Sequence, residues 1–134
     1  MYDHIVVPVA PDHIGEYFTS LDVARRLLSK AGRLSVLSVL EELPSYVGSY
    51  FPSDQIKKNL VELKDAIETE LGGEDVDVHV RSGHPTNTIL AWAEKNNADC
   101  IVVSSHRPGL PDLLLGSTAA RVVRHAQCAV VVLR

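Results

Sequence analysis

The sequence predicts a doubly wound α/β domain: one five-stranded parallel sheet, strand order 3-2-1-4-5, with helices on both faces. Three observations predict it. Five short runs rich in Val, Ile and Leu have strand length: HIVVPV (4–9), LSVLSVL (34–40), VDVHV (76–80), CIVVS (100–104) and AVVVL (129–133). Helical periodicities occupy the gaps between them, so strand and helix alternate without interruption. Some of the runs are almost continuously apolar, as strands covered by helices on both faces are. Strict alternation calls for parallel pairing through right-handed crossovers, which leaves few ways to wind the sheet.

The elements follow in order. After the first run, Val23, Ala24, Leu27, Leu28 and Ala31 form one stripe of a helix from Ser20, with Gly32 placed to supply a left-handed cap. A second helix is expected after the second run, capped by Ser53 and closed by Gly72 and Gly73; Ile56, Leu60, Leu63, Ile67 and Leu71 recur on its inner face. Lys57, Lys58, Glu62, Lys64 and Glu68 fall on its solvated side. VDVHV alternates, which marks an edge strand. A third helix is expected after Pro85, with Thr86 or Asn87 near its cap, Ile89, Leu90 and Ala93 buried, and Trp92 closing its edge. The fourth runs from Ser117 through Ala119, Val122 and Val123 and fades at His125 to Gln127, leading into the last strand.

Bulk properties limit the functions available to such a domain. A chain of 134 residues with 46% hydrophobic content can build one core, so residues 1–134 are expected to form a single domain. Thirteen basic against seventeen acidic residues, a formal charge of −4, and no cluster of Lys and Arg argue against nucleic acid as a partner. No stretch reaches the roughly 18 continuous apolar residues of a membrane helix, and the N-terminus lacks the pattern of a secretory signal. Cys100 and Cys128, each beside an apolar run, are expected as buried thiols rather than a disulfide. The expectation is a cytoplasmic protein.

In the order 3-2-1-4-5 the winding reverses between strands 1 and 4, and a crevice opens at their C-terminal ends. Residues after Val9 and after Val103 should line it, and EELPSYVGSYFP (41–52) is expected as a loop over the same end. The segment SHRPGLPDLLLGST (105–118) leaves strand 4 at the crevice and ends at the start of the fourth helix. There Gly116 lets the backbone approach a bound group, Ser117 and Thr118 offer hydroxyls, and the unpaired N–H groups of a helix start favour an anion such as phosphate. Ser104, Ser105, His106 and Arg107 add hydroxyls, an imidazole and a cation at the mouth. The same spacing is also what an ordinary N-cap and turn use, and both readings stand on spacing alone. Catalysis finds little support: there is no P-loop lysine motif, the His residues are scattered, and His106 is the sole candidate base.

IVVPV at the start, VRSGHP (80–85), CIVVSSHRP (100–108) and above all LLLGSTAARVVRHAQCAVVVLR (113–134) resemble the universal stress protein family, in its short single-domain bacterial branch. The resemblance spans the whole chain. It implies an adenine nucleotide alpha hydrolase-like fold, a homodimer formed through the last strand (129–133), a role in stress response, and in one branch ATP as the ligand, with Mg²⁺ able to accompany it. That branch carries G-x2-G-x9-G-(S/T). Here Gly116 and Ser117 match the last pair, the first two glycines are missing, and Gly109 is the only other glycine in the segment. The family commonly has aspartate after PV; this chain has Ala10, with Asp12 two residues on. Val39 matches the position whose backbone meets the adenine base, and Gly83 the glycine of VxxGxP. A branch without nucleotide, acting as a protein-interaction module, is the alternative the departures leave open.

Overall fold

The computed structural model describes residues 1–12, 17–41, 53–73, 75–105 and 116–134. In chain order they form β1 (Tyr2–Val9), α1 (Phe18–Leu27), β2 (Leu28–Glu41), α2 (Ser53–Leu71), β3 (Asp77–Gly83), α3 (Pro85–Lys95), β4 (Cys100–Ser104), α4 (Ser117–His125) and β5 (Ala129–Leu133). The strands make one sheet in the order β3-β2-β1-β4-β5, every pair parallel. The predicted winding is the observed one.

Alternate residues of the central strands feed two apolar layers, as the two-residue repeat of a strand requires. Ile5, Val7, Cys100 and Val102 point to the face covered by Leu21 and Ala24 of α1 and Leu63, Ile67 and Leu71 of α2. Val6, Leu37, Val39, Ile101 and Val103 point to the other face, under Ile89, Trp92 and Ala93 of α3 and Ala119 and Val122 of α4. Helices on both faces explain why β1 and β4 read as continuous apolar runs.

Three local expectations give way to tertiary pairing. The first helix stops at Leu27, and Gly32 caps nothing: Leu28 is already extended and pairs with Tyr2 of β1. The register then moves from Tyr2↔Leu28 to His4↔Arg33, two residues on β1 against five on β2. A Cβ on Gly32 would lie 2.6 Å from Leu28 Cδ1, so glycine serves there by close approach. At α3 the cap is His84, whose Nδ1 accepts from the Asn87 N–H at 3.3 Å; Thr86 and Asn87 lie inside the helix, and Pro85 takes the first position, where no N–H is missed. On α2, Ile56 is exposed, so the buried stripe is shorter than the periodicity suggests.

Other expectations stand. Gly72 and Gly73 both adopt positive φ (62° and 86°) and end α2 as expected. Trp92 is buried with Ile89 and Ala93, and its ring packs against His4 and His79 at the N-terminal end of the sheet. His4 is buried there with its Nε2 2.8 Å from Ser35 Oγ and its Nδ1 3.0 Å from the Asn96 carbonyl. The Asp99 carboxylate accepts from the Asp3 and His4 N–H groups at 2.9 and 3.0 Å, tying β1 to the start of β4. That end of the molecule is closed; at the opposite end the described residues leave an opening.

Candidate functional site

The opening begins inside the sheet. β1 and β4 pair only at Ile5↔Cys100 and Val6↔Ile101, while β1 stays paired to β2 through Val9↔Ser38 and β4 to β5 through Ser104↔Leu133. Past Val6 the two central strands part. Pro8 brings no N–H to either ladder, which suits a strand that loses a neighbour at that point. The Val9 carbonyl accepts from the buried Ser38 hydroxyl at 2.7 Å, so the strand end stays satisfied.

A cavity of about 510 Å³ occupies the gap, within the range of small-molecule sites. Its floor is Pro8, Val9 and Val103; Leu37, Val39 and Leu40 of β2 form one wall, with Pro85 and Ile89 of α3 beside them. Ser104, Ser105 and the start of α4 (Gly116 to Ala119) form another, and Ala10 to Asp12, Glu41, Tyr17 and Ser20 complete the lining. Of the residues singled out from sequence, the structure therefore brings together Ala10, Val39, Ser104, Ser105, Gly116, Ser117 and Thr118. His106, Arg107 and Gly109, and the loop residues 42–52, lie outside the described residues.

The start of α4 is the polar centre of the cavity. Gly116 is the N-cap, its carbonyl accepting from the Ala120 N–H at 2.9 Å, and no side chain caps the helix. Among the described residues nothing accepts from the N–H groups of Ser117, Thr118 and Ala119, and all three residues line the cavity. Those donors carry the positive end of the helix dipole. Arg124 and His125 occupy the last turn, where cations suit the other end of the dipole.

Gly116 itself is informative. Its φ of −60° and ψ of 154° are open to any residue, and a Cβ there would meet only the Ser105 carbonyl oxygen, at an ordinary 3.7 Å. Among the described residues no packing requires glycine at this position. Gly83 is the opposite case: φ is +152°, an added Cβ would fall 2.7 Å from Thr88 Oγ1, and the residue is not among those lining the cavity. The turn into α3 accounts for it. Ser105 lines the cavity yet donates both its N–H (2.7 Å) and its hydroxyl (3.1 Å) to the Leu133 carbonyl, so its donors pin the end of β5.

The groups with displaced pKa values sit toward the other end of the sheet. Burial, reinforced by Arg33, lowers His4; burial and then Arg81 lower His79. Burial pushes the Cys100 thiol up to about 11 and also raises Cys128. Among the described residues no three His, Cys, Asp or Glu side chains gather as metal ligands. Nor is any described helix long and apolar enough to cross a membrane. The sequence reading missed Tyr17 and Ser20 as lining residues; their only sequence signal was proximity to an element end at this edge of the sheet.

Comparison with known proteins agrees with this architecture. A "Universal stress protein G" of Salmonella typhimurium (strain LT2) is 30% identical over 142 residues, covering 100% of both chains. The solved structure of hypothetical protein MJ0577 superposes with a TM-score of 0.73 at 25% identity, over 99% of this chain and 96% of that one. A universal stress protein in complex with cAMP (TM-score 0.60, 23% identity, 99% and 97% covered) shares the fold. So does one from Archaeoglobus fulgidus in complex with dAMP (0.53, 22%, 99% and 98%). The model of the Universal stress protein family matches residues 1–134, and the chain belongs to that family.

Proposed function

We propose that this chain binds an adenine nucleotide, ATP or a related one, in the cavity between β1 and β4, and acts as a binding and regulatory module in stress response. The observation that carries the reading is Gly116: a glycine that neither its backbone angle nor any packing among the described residues demands, next to three helix N–H groups that have no acceptor among those residues. A bound phosphate explains both, since it accepts from those donors and needs the space a side chain would fill. Ser117, Thr118 and Ser104 add hydroxyls on the same wall, and the apolar surface of Val39, Leu40 and Ile89 suits a planar base. Ala10 offers the base no side-chain acceptor, and Asp12 and Glu41 are the carboxylates on the described lining. Glu41 and Asp12 would be the carboxylates nearest a Mg²⁺ that accompanied a triphosphate there. Fold relatives in complex with cAMP and dAMP support the ligand class.

A homodimer in the cytoplasm fits the same reading. Among the described residues β5 pairs with β4 on one side only, and Val130, Val131, Val132 and Leu133 are half-buried, so the outer edge can accept a second copy. The test of the function is calorimetric titration of the purified chain with ATP, AMP, cAMP and GTP, with mass spectrometry of any molecule that co-purifies. Adenine nucleotides should bind and GTP should bind more weakly. If none of the four binds, the protein-interaction reading, which rests on the missing glycines and Ala10, takes its place.

A further inference from the structure

The closed end of the sheet holds a buried imidazole whose two nitrogens face three polar partners. His4 of β1 is 5% exposed, and its ring packs edge-on against Trp92 of α3. Its Nε2 lies 2.8 Å from Ser35 Oγ, while Nδ1 lies 3.0 Å from the Asn96 carbonyl oxygen and 3.1 Å from an Arg33 guanidinium nitrogen. A serine hydroxyl donates or accepts, so Nε2 is satisfied whether or not it carries a proton. Nδ1 is not so placed. The carbonyl only accepts and the guanidinium only donates, whereas one ring nitrogen carries either a proton or a lone pair. The two contacts cannot both be hydrogen bonds at once.

The surroundings decide which contact gives way. The His4 backbone is tied to Asp99, its N–H donating to the carboxylate and its carbonyl accepting from the Asp99 N–H, both at 3.0 Å. Asn96, the C-cap of α3, is anchored by its N–H and its side-chain amide to the Trp92 carbonyl at 3.0 and 2.9 Å. Arg33 is different. It is exposed and stands where the register of β1 and β2 slips, so its long side chain reaches the ring from the solvent side. Charges face His4 from several elements. Arg33 of β2 opposes a proton on the ring, as burial does, while Asp99 before β4 and Asp77 at the start of β3 favour one. His79 of β3 lies beyond Trp92, 4.8 Å from that ring.

We propose that His4 and Arg33 form an acid-released latch. At neutral pH Nδ1 accepts a charge-assisted bond from Arg33 and Nε2–H donates to Ser35, so the guanidinium clamps the irregular start of β2 (28–33) to β1 and the end of α3. When the ring takes a proton, Nδ1–H donates to the Asn96 carbonyl instead. Arg33 then faces a second positive charge at 3.1 Å and swings into water. The irregular stretch, having lost its clamp, opens more often. The latch belongs to the closed end and stands whether or not the cavity binds a nucleotide.

The experiment uses the full chain carrying His79→Gln, so that His4 is the titrating ring beside Trp92. Nitrogen-15 NMR follows both His4 ring nitrogens from pH 7.5 to 4.5. At pH 7.5 Nδ1 should show the shift of a nitrogen bearing a lone pair and Nε2 that of an N–H; on acidification both should become N–H. Adding Arg33→Met should raise the pH at which His4 titrates, and Arg33→Lys, which keeps a charged donor, should move it less. Amide hydrogen exchange at residues 29–33, corrected for the direct effect of pH, should quicken about threefold or more once His4 is protonated. In Arg33→Met it should be fast already at pH 7.5. A proton on Nδ1 at pH 7.5, an unmoved titration in Arg33→Met, or exchange at 29–33 that stays constant while His4 titrates would each overturn the latch. Should Arg33→Met fail to fold, the first and third of these outcomes, read with Arg33 in place, decide.

Discussion

Replacing Gly116 by valine separates the two reasons a chain can have for glycine at a helix start. The residue has extended backbone, φ −60° and ψ 154°, a conformation that suits a β-branched side chain. The first atom of the new side chain meets the Ser105 carbonyl oxygen at 3.7 Å, so no overlap with a described residue is created. Giving up a tolerated N-cap residue costs about 0.5–1 kcal/mol. Stiffening the unfolded chain returns about 0.4–1 kcal/mol. The net change in stability is expected within about 1 kcal/mol, a Tm shift of at most about 4 °C for a domain of this size. Binding responds differently. The valine methyls enter the space an anion needs to reach the Ser117, Thr118 and Ala119 N–H groups, and each hydrogen bond to a charged acceptor is worth about 1.5–3 kcal/mol. Losing one weakens binding by about ten- to a hundredfold. Thermal unfolding and calorimetric titration with ATP read the two effects on one preparation. Equal affinity in variant and wild type would refute the role of this helix start. A stability loss above about 3 kcal/mol would instead show that the fold itself needs the glycine.

Two further outcomes concern the closed end of the sheet. Burial, with Arg33, holds the pKa of His4 below 6.5, and burial, with Arg81, does the same for His79. As pH falls from about 6.5 through the folded values, the unfolded chain takes up protons the folded chain refuses, so stability should decline, by up to about 1.4 kcal/mol per pH unit for each group, and should be flat for these groups above 6.5. Chemical denaturation between pH 7.5 and 5 measures the slope, which should flatten in His4→Gln and His79→Gln; an unchanged slope in both variants contradicts the assignment. Cys100, its thiol pushed up to about 11, and Cys128, half-buried and also raised, should resist iodoacetamide at pH 8 in the native protein and react fully in denaturant. Rapid labelling of Cys100 before unfolding would contradict its burial.

The fold was legible because its signals are local and repeated. Five apolar runs separated by helical stripes specify parallel strands, and the winding rules then leave the order β3-β2-β1-β4-β5 among few alternatives. The wall containing Ser104, Ser105 and Gly116 to Thr118 was legible for the same reason: a glycine and two hydroxyls at a predicted helix start, after a predicted strand, must come to the C-terminal edge of the sheet. The boundary at Leu28 was not. The periodicity through Leu27, Leu28 and Ala31 continues a helix, and only pairing with Tyr2, far away in sequence, draws Leu28 into a strand.

Sequence by itself therefore determined the class of fold and the helix start that faces the crevice, since the elements behind both depend on residues within a turn or two of one another. Tertiary structure alone decided three things. It separated Gly83, required by its backbone and by Thr88, from Gly116, required by neither, because that distinction depends on φ and on neighbours distant in sequence. It spent the Ser105 donors on Leu133. It also brought Ser20 of α1 to the same cavity as the start of α4, because two helices on opposite faces of a parallel sheet both begin at its C-terminal edge, and no pattern along the chain records that meeting.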